Sequence, residues 1–174
     1  MYRLTVLFLG LFFLSGVVSG SAQGIKAVEK TQATPPVSAR PIQAQKSTVA
    51  MPNTYKKRQV MVGNGGGVTG GSVTYYLLED GRLYGKRSRD KGYTFIGQQK
   101  PLATKRVFET VESKCSIAKT KFDKPGNMYQ FVGWQNDKKR YQVTWAKGDS
   151  TVPANYPKFH KAFMNMIPVA SRLK

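Results

Sequence analysis

Residues 72–87 read Ser72-Val73-Thr74-Tyr75-Tyr76-Leu77-Leu78, then Glu79-Asp80-Gly81, then Arg82-Leu83-Tyr84-Gly85-Lys86-Arg87. Two runs rich in β-branched and aromatic residues flank an Asp-Gly pair, which tolerates the positive φ of a tight turn, so a β-hairpin is predicted. Outward from it, Arg58–Val62 and Tyr93–Gln98 have strand composition. Further on, Met128–Trp134 resumes it after the turn cluster Asp123-Lys124-Pro125-Gly126. Beyond Asn136-Asp137-Lys138, Tyr141, Val143 and Trp145 alternate with Arg140, Gln142 and Thr144, the period of a strand with one buried and one wet face.

Two segments carry a helical period instead. Over Leu102–Lys114, Phe108, Val111 and Cys115 fall on one face, opposite Lys105, Glu109 and Glu112. Over Pro157–Ile167, Phe159, Ala162, Phe163 and Met166 form an inward stripe. Asn155 or Tyr156 is the expected cap there, Pro157 lies in the first turn, and Pro168 stops the helix. Short turns between strands imply antiparallel pairing. The expected fold is therefore α+β: an antiparallel sheet of about five to six strands with two amphipathic helices packed on one face. Residues 58–174 form its single domain.

The chain has 174 residues, 28 Lys or Arg against 9 Asp or Glu, and one His and one Cys, for a net charge of +19. One Cys excludes an intrachain disulfide framework, and one His excludes a two-histidine metal site within the chain. No cofactor or metal site is expected. Arg3 followed by the apolar run Leu4–Val18 and the small residues Ser19, Gly20, Ser21 and Ala22 reads as a signal peptide over residues 1–22. The run is shorter than the roughly 20 residues of a membrane-spanning helix. Residues 23–57 hold Pro35, Pro36, Pro41 and Pro52 among Gln, Ala, Ser and Thr, with no aromatic before Tyr55. That composition reads as a flexible basic tether. The expected location is the periplasm or outside the cell, after signal-peptide cleavage.

Gly63-Asn64-Gly65-Gly66-Gly67-Val68-Thr69-Gly70-Gly71 is the most unusual local feature. Gly65, Gly67 and Gly70 formally satisfy a dinucleotide fingerprint. The next residues, however, form a strand, whereas that fingerprint requires a helix N-terminus to hold the pyrophosphate. The segment reads as a loop between strands, and Gly65, Gly66, Gly67, Thr69 and Gly70 are candidates for close contact with a partner. Candidate anion contacts are Arg82, Lys86, Arg87, Arg89 and Lys91, with Lys138, Lys139 and Arg140. In the first group an aromatic, Tyr84, is interleaved with cations, as phosphate- and sugar-acid-binding surfaces reward. His160 has no carboxylate or nucleophile placed beside it by a motif, and Cys115 occupies an apolar helix position, so no catalytic residue is assigned.

The segments Gly65-Gly66-Gly67-Val68-Thr69-Gly70, Tyr76–Tyr84, Pro125-Gly126-Asn127-Met128-Tyr129 and Val143-Thr144-Trp145 resemble a group of small exported proteins of unknown function from Bacteroidota-type bacteria. The resemblance spans residues 63–167. It implies export and an α+β domain, and it implies no activity.

The expected function is a non-catalytic exported binding domain. Its expected partner is an anionic polymer, envelope lipid head groups or an acidic protein, with nucleic acid ranked behind these. The alternative is a small periplasmic inhibitor or chaperone-like protein that uses the glycine loop as its contact edge. An enzyme of unrecognised class built around His160 is the third reading.

Overall fold

In the computed structural model, which describes residues 49–174, Asp80-Gly81 turns the chain as the sequence predicts. Gly81 takes φ +88°, and its N–H donates to the Leu78 carbonyl at 2.9 Å. Strands β2 (Ser72–Leu78) and β3 (Arg82–Arg87) pair across this turn, preceded by β1 (Arg58–Gly66) and followed by β4 (Thr94–Gln98). After the helical segment come β5 (Asp123–Lys124), β6 (Met128–Asn136) and β7 (Lys139–Ala146). The signal peptide expected over residues 1–22, and the expected tether up to residue 48, lie outside the described residues.

The α+β class holds, with corrections of detail. The sheet has seven strands in the order β4-β3-β2-β1-β6-β7-β5, and it is mixed, because β5 pairs parallel with β7. β5 was expected to be a turn. It is strand only because the edge of β7 offers it partners, and the Thr144 N–H continues that edge to the Phe122 carbonyl at 3.1 Å. A two-residue strand has no periodicity to read.

Alternation along each strand sends one set of side chains to the helices. Val60, Val62, Tyr75, Leu77, Leu83, Val132, Val143 and Trp145 form one core with Val107, Phe108, Val111 and Cys115 of the first helical segment and Tyr156, Phe159 and Phe163 of the second. The first segment is α1 (Pro101–Glu109), with Pro101 at its start, where the missing N–H costs nothing. It was expected to run on as regular helix to Lys114. Instead residues Thr110–Lys114 widen into a π turn, closed by the Cys115 N–H on the Thr110 carbonyl at 2.9 Å.

α2 (Asn155–Asn165) begins against the end of that turn. Asn155 or Tyr156 was expected to cap this helix. The Asn155 amide instead donates to the Lys114 carbonyl at 2.9 Å, while the Tyr156 hydroxyl donates to the Cys115 carbonyl at 3.0 Å. The carbonyls that a helix C-terminus leaves open are thus closed by the neighbouring helix. Arg58 registers the first helical segment on the sheet. It pairs with Glu79 and Glu112, and Glu112 also accepts the Trp134 indole N–H at 2.8 Å. No helix among the described residues is long and apolar enough to cross a membrane.

The opposite face of the sheet has a smaller cluster of Tyr55, Leu78 and Tyr84, with Ala50, Tyr76 and Tyr93 packed on it. Packed structure therefore begins before Arg58, the expected boundary. The Gln59 amide donates to the Pro52 carbonyl at 3.0 Å, and Arg82 donates to the Ala50 carbonyl at 2.9 Å.

Candidate anion-binding site

The glycine segment was expected to be a loop throughout, but its first four residues belong to β1. Their smallness serves the sheet. A Cβ at Gly63 would lie 2.6 Å from the Phe131 ring, and one at Gly65 would lie 2.6 Å from the Tyr129 hydroxyl. Both aromatics come from β6 and lie across the glycines, a recognised way of covering glycine in a sheet. The turn proper starts at Gly66, whose φ is +98°. Three bonds hold it: Gly66 N–H to the Gly71 carbonyl at 3.0 Å, Gly67 N–H to the Asn127 carbonyl at 2.8 Å, and Gly70 N–H to the Gly67 carbonyl at 3.0 Å.

The end of β3 comes alongside. Ser88 exchanges bonds with Ser72: its N–H donates to the Ser72 carbonyl at 2.8 Å, and its hydroxyl accepts the Ser72 N–H at 3.1 Å. The Asp90 carboxylate accepts both the Arg87 N–H at 3.2 Å and the Arg87 Nε at 3.0 Å. Arg87's hydrogen bonds hold the Asp90 carboxyl below the usual carboxylate value, so it stays ionised. Arg87 also donates to the Lys174 carbonyl at 3.3 Å, and Arg89 donates through Nη2 to the Thr69 carbonyl at 3.1 Å.

Between these segments lies a cavity of about 450 Å³, whose lining includes Gly65, Gly66, Thr69, Ser72, Arg87, Arg89, Asp90 and Lys174. The structure thus brings the glycine turn together with two of the separately expected cations, Arg87 and Arg89. The lining side chains carry three cations against one carboxylate. Arg87 is largely committed to Asp90. Arg89 spends one donor of its five-donor fork on Thr69 and makes no other hydrogen bond among the described residues. Gly67 and Gly70 complete the turn without lining the cavity.

The other candidates lie elsewhere. Arg82 is engaged within the fold: it pairs with Asp80 at 2.7 Å and bonds the Ala50 carbonyl and the Tyr84 hydroxyl, with its side chain only 17% exposed. It therefore fastens the segment preceding β1. Lys86 sits over the Tyr93 ring at 4.9 Å. Lys91 is exposed and does not line the cavity. Lys138, Lys139 and Arg140 are at the far end of β6, because Gly66 pairs with Met128 while Arg58 pairs with Asn136. At about 3.3 Å per residue, that separates the two basic ends by roughly 26 Å.

Sequence reasoning missed Lys174. It arrives because the Leu173 N–H donates to the Tyr75 hydroxyl at 2.9 Å and Leu173 packs over Gly85, a placement with no local signal.

His160 is buried against Trp145, with ring centroids 5.8 Å apart, and its Nε2 lies 3.2 Å from the Gly63 carbonyl. Burial lowers its pKa, only partly opposed by the Gly63 bond, so the ring is neutral with Nε2 as the donor. The unfolded chain takes up this proton first. Stability is therefore expected to fall as pH drops below about 6.5 and to go on falling until the lower folded pKa is passed. Urea midpoints of His160→Gln should show a flatter profile through that window than those of the parent.

Cys115 is also buried, and burial pushes its thiol pKa up. Among the described residues, no group of three or more His, Cys, Asp or Glu is placed to hold a metal ion. No protein-family model matches the chain, and no curated protein matches it.

Proposed function

We propose that the protein is an exported, non-catalytic binding domain whose glycine-turn cavity takes an anionic group of a cell-envelope polymer. One observation carries this reading: the turn at the end of β1 and the arginines at and just beyond the end of β3 converge on one cavity with Arg89 and Lys174 at its wall. The charge of the whole chain acts in the same direction, since 28 basic residues against 9 acidic ones draw an anionic partner in and are relieved of self-repulsion by it. An Arg fork suits the planar, multi-oxygen geometry of a phosphate, sulfate or carboxylate.

Retention on heparin and on immobilised lipopolysaccharide tests this. Binding should weaken steeply with salt, and Arg89→Glu should lower affinity by about tenfold and shallow the salt dependence. Because Arg89 is exposed, this change spares the fold. Charge reversal of Lys138 and Lys139, at the other end of the sheet, should have a smaller effect. Equal losses from both changes would show that overall charge, and not this cavity, does the binding.

A further inference from the structure

The face of the two helical segments that looks away from the sheet is not closed. Between them runs a groove of about 460 Å³, within the range of small-molecule pockets. Val107, Phe159, Ala162, Phe163 and Met166 supply its apolar surface. Its charged lining residues are Arg106, Lys114 and Lys158, all cations. The π turn contributes Thr110 and Lys114 to the lining, and π turns are concentrated at functional sites.

We infer that this groove binds a free single-chain fatty acid, its alkyl chain along the apolar floor and its carboxylate among Arg106, Lys114 and Lys158. Three features select this occupant. The apolar floor rewards an alkyl chain, which a purely saccharide polyanion such as heparin does not carry. The rim holds only positive charge, so the head group is an anion. A second copy of this chain would bring further excess cations to a cationic rim and be repelled. The eleven residues of α2 give the groove a length of roughly 16 Å at 1.5 Å rise per residue, enough for a chain of medium length. The groove and the glycine-turn cavity share no lining residue, so the two sites stand or fall separately.

Displacement of a fluorescent fatty acid from the protein purified from its own cells tests the assignment, with octanoate, dodecanoate, hexadecanoate, dodecanol and an acidic amphipathic peptide as competitors. One carboxylate should bind per chain. Affinity should rise by about fourfold per added methylene until the groove is filled. Dodecanol should bind about tenfold more weakly than dodecanoate. Ala162→Trp, at an exposed position, fills the groove and should weaken dodecanoate at least tenfold, with far-UV circular dichroism unchanged. Lys158→Glu, also exposed, should weaken dodecanoate and leave dodecanol unaffected, which keeps the test open if the Trp variant misfolds. Ala162→Trp should leave heparin retention unchanged, and Lys158→Glu should lower it far less than Arg89→Glu does. The assignment is overturned by affinity independent of chain length, by equal binding of acid and alcohol, or by displacement only with an acidic amphipathic peptide.

Discussion

Trp145→Ala is expected to destabilise the folded chain by about 3–5 kcal/mol, read as a lower urea midpoint at unchanged slope. Trp145 is 1% exposed and lies near the end of β7. Its indole meets Tyr156 at 6.4 Å and His160 at 5.8 Å between ring centroids, and both partners belong to α2. Truncation therefore opens a cavity at the seam between sheet and helix, where neither layer can collapse without moving the other. Trp145→Phe keeps an aromatic ring in the seam and should cost clearly less. A loss in the alanine variant no larger than that of an exposed substitution would mean that α2 is held by something other than this seam.

Gly66→Ala is expected to cost about 3 kcal/mol and to weaken anion retention in the same variant. Two effects add. The residue has φ +98°, a region in which a side chain crowds the neighbouring carbonyl by about 1–2 kcal/mol. A Cβ there would also stand 1.8 Å from the Asn127 carbonyl oxygen, which is main chain and is already held by the Gly67 N–H at 2.8 Å. The clash can be relieved only by moving the turn away from β6, and that opens the cavity wall. Gly92→Ala is the control: nothing lies within 4 Å of its added methyl, and its effect should stay within about 0.5 kcal/mol. Equal effects at the two positions would refute the steric account.

The parts of the fold that could be read directly share one property: their signal is local. The hairpin at Asp80-Gly81, the alternation of Tyr141, Val143 and Trp145, and the stripe of Phe159 and Phe163 each depend on residues a few positions apart. The misreadings share the opposite property. Gly63 and Gly65 looked like loop residues because the rings that require their smallness, Phe131 and Tyr129, are on β6, far along the chain. β5 exists only because of the edge it joins. Arg82 looked like a surface cation, yet Asp80, Ala50 and Tyr84 consume its donors.

The candidate site divides the same way. Its residue types were visible: a glycine turn and a run of cations after β3, both rare enough in composition to be singled out. Their convergence was not, because it depends on Ser72 and Ser88 bonding across β2 and β3 and on Lys174 being drawn in by Tyr75. The helix groove was less visible still. Arg106, Lys114 and Lys158 sit on two segments whose packing, together with the π turn that carries Lys114, sets the spacing of the rim.

The sequence by itself determined the α+β class, the hairpin and the two amphipathic helices, because backbone propensity and hydrophobic period act over a few residues. It also determined the excess of positive charge, which is a matter of counting. Only the tertiary structure decided which of those cations are spent inside the fold and which face a cavity. A charge's partners are chosen by distance in space, and the register of seven strands sets that distance.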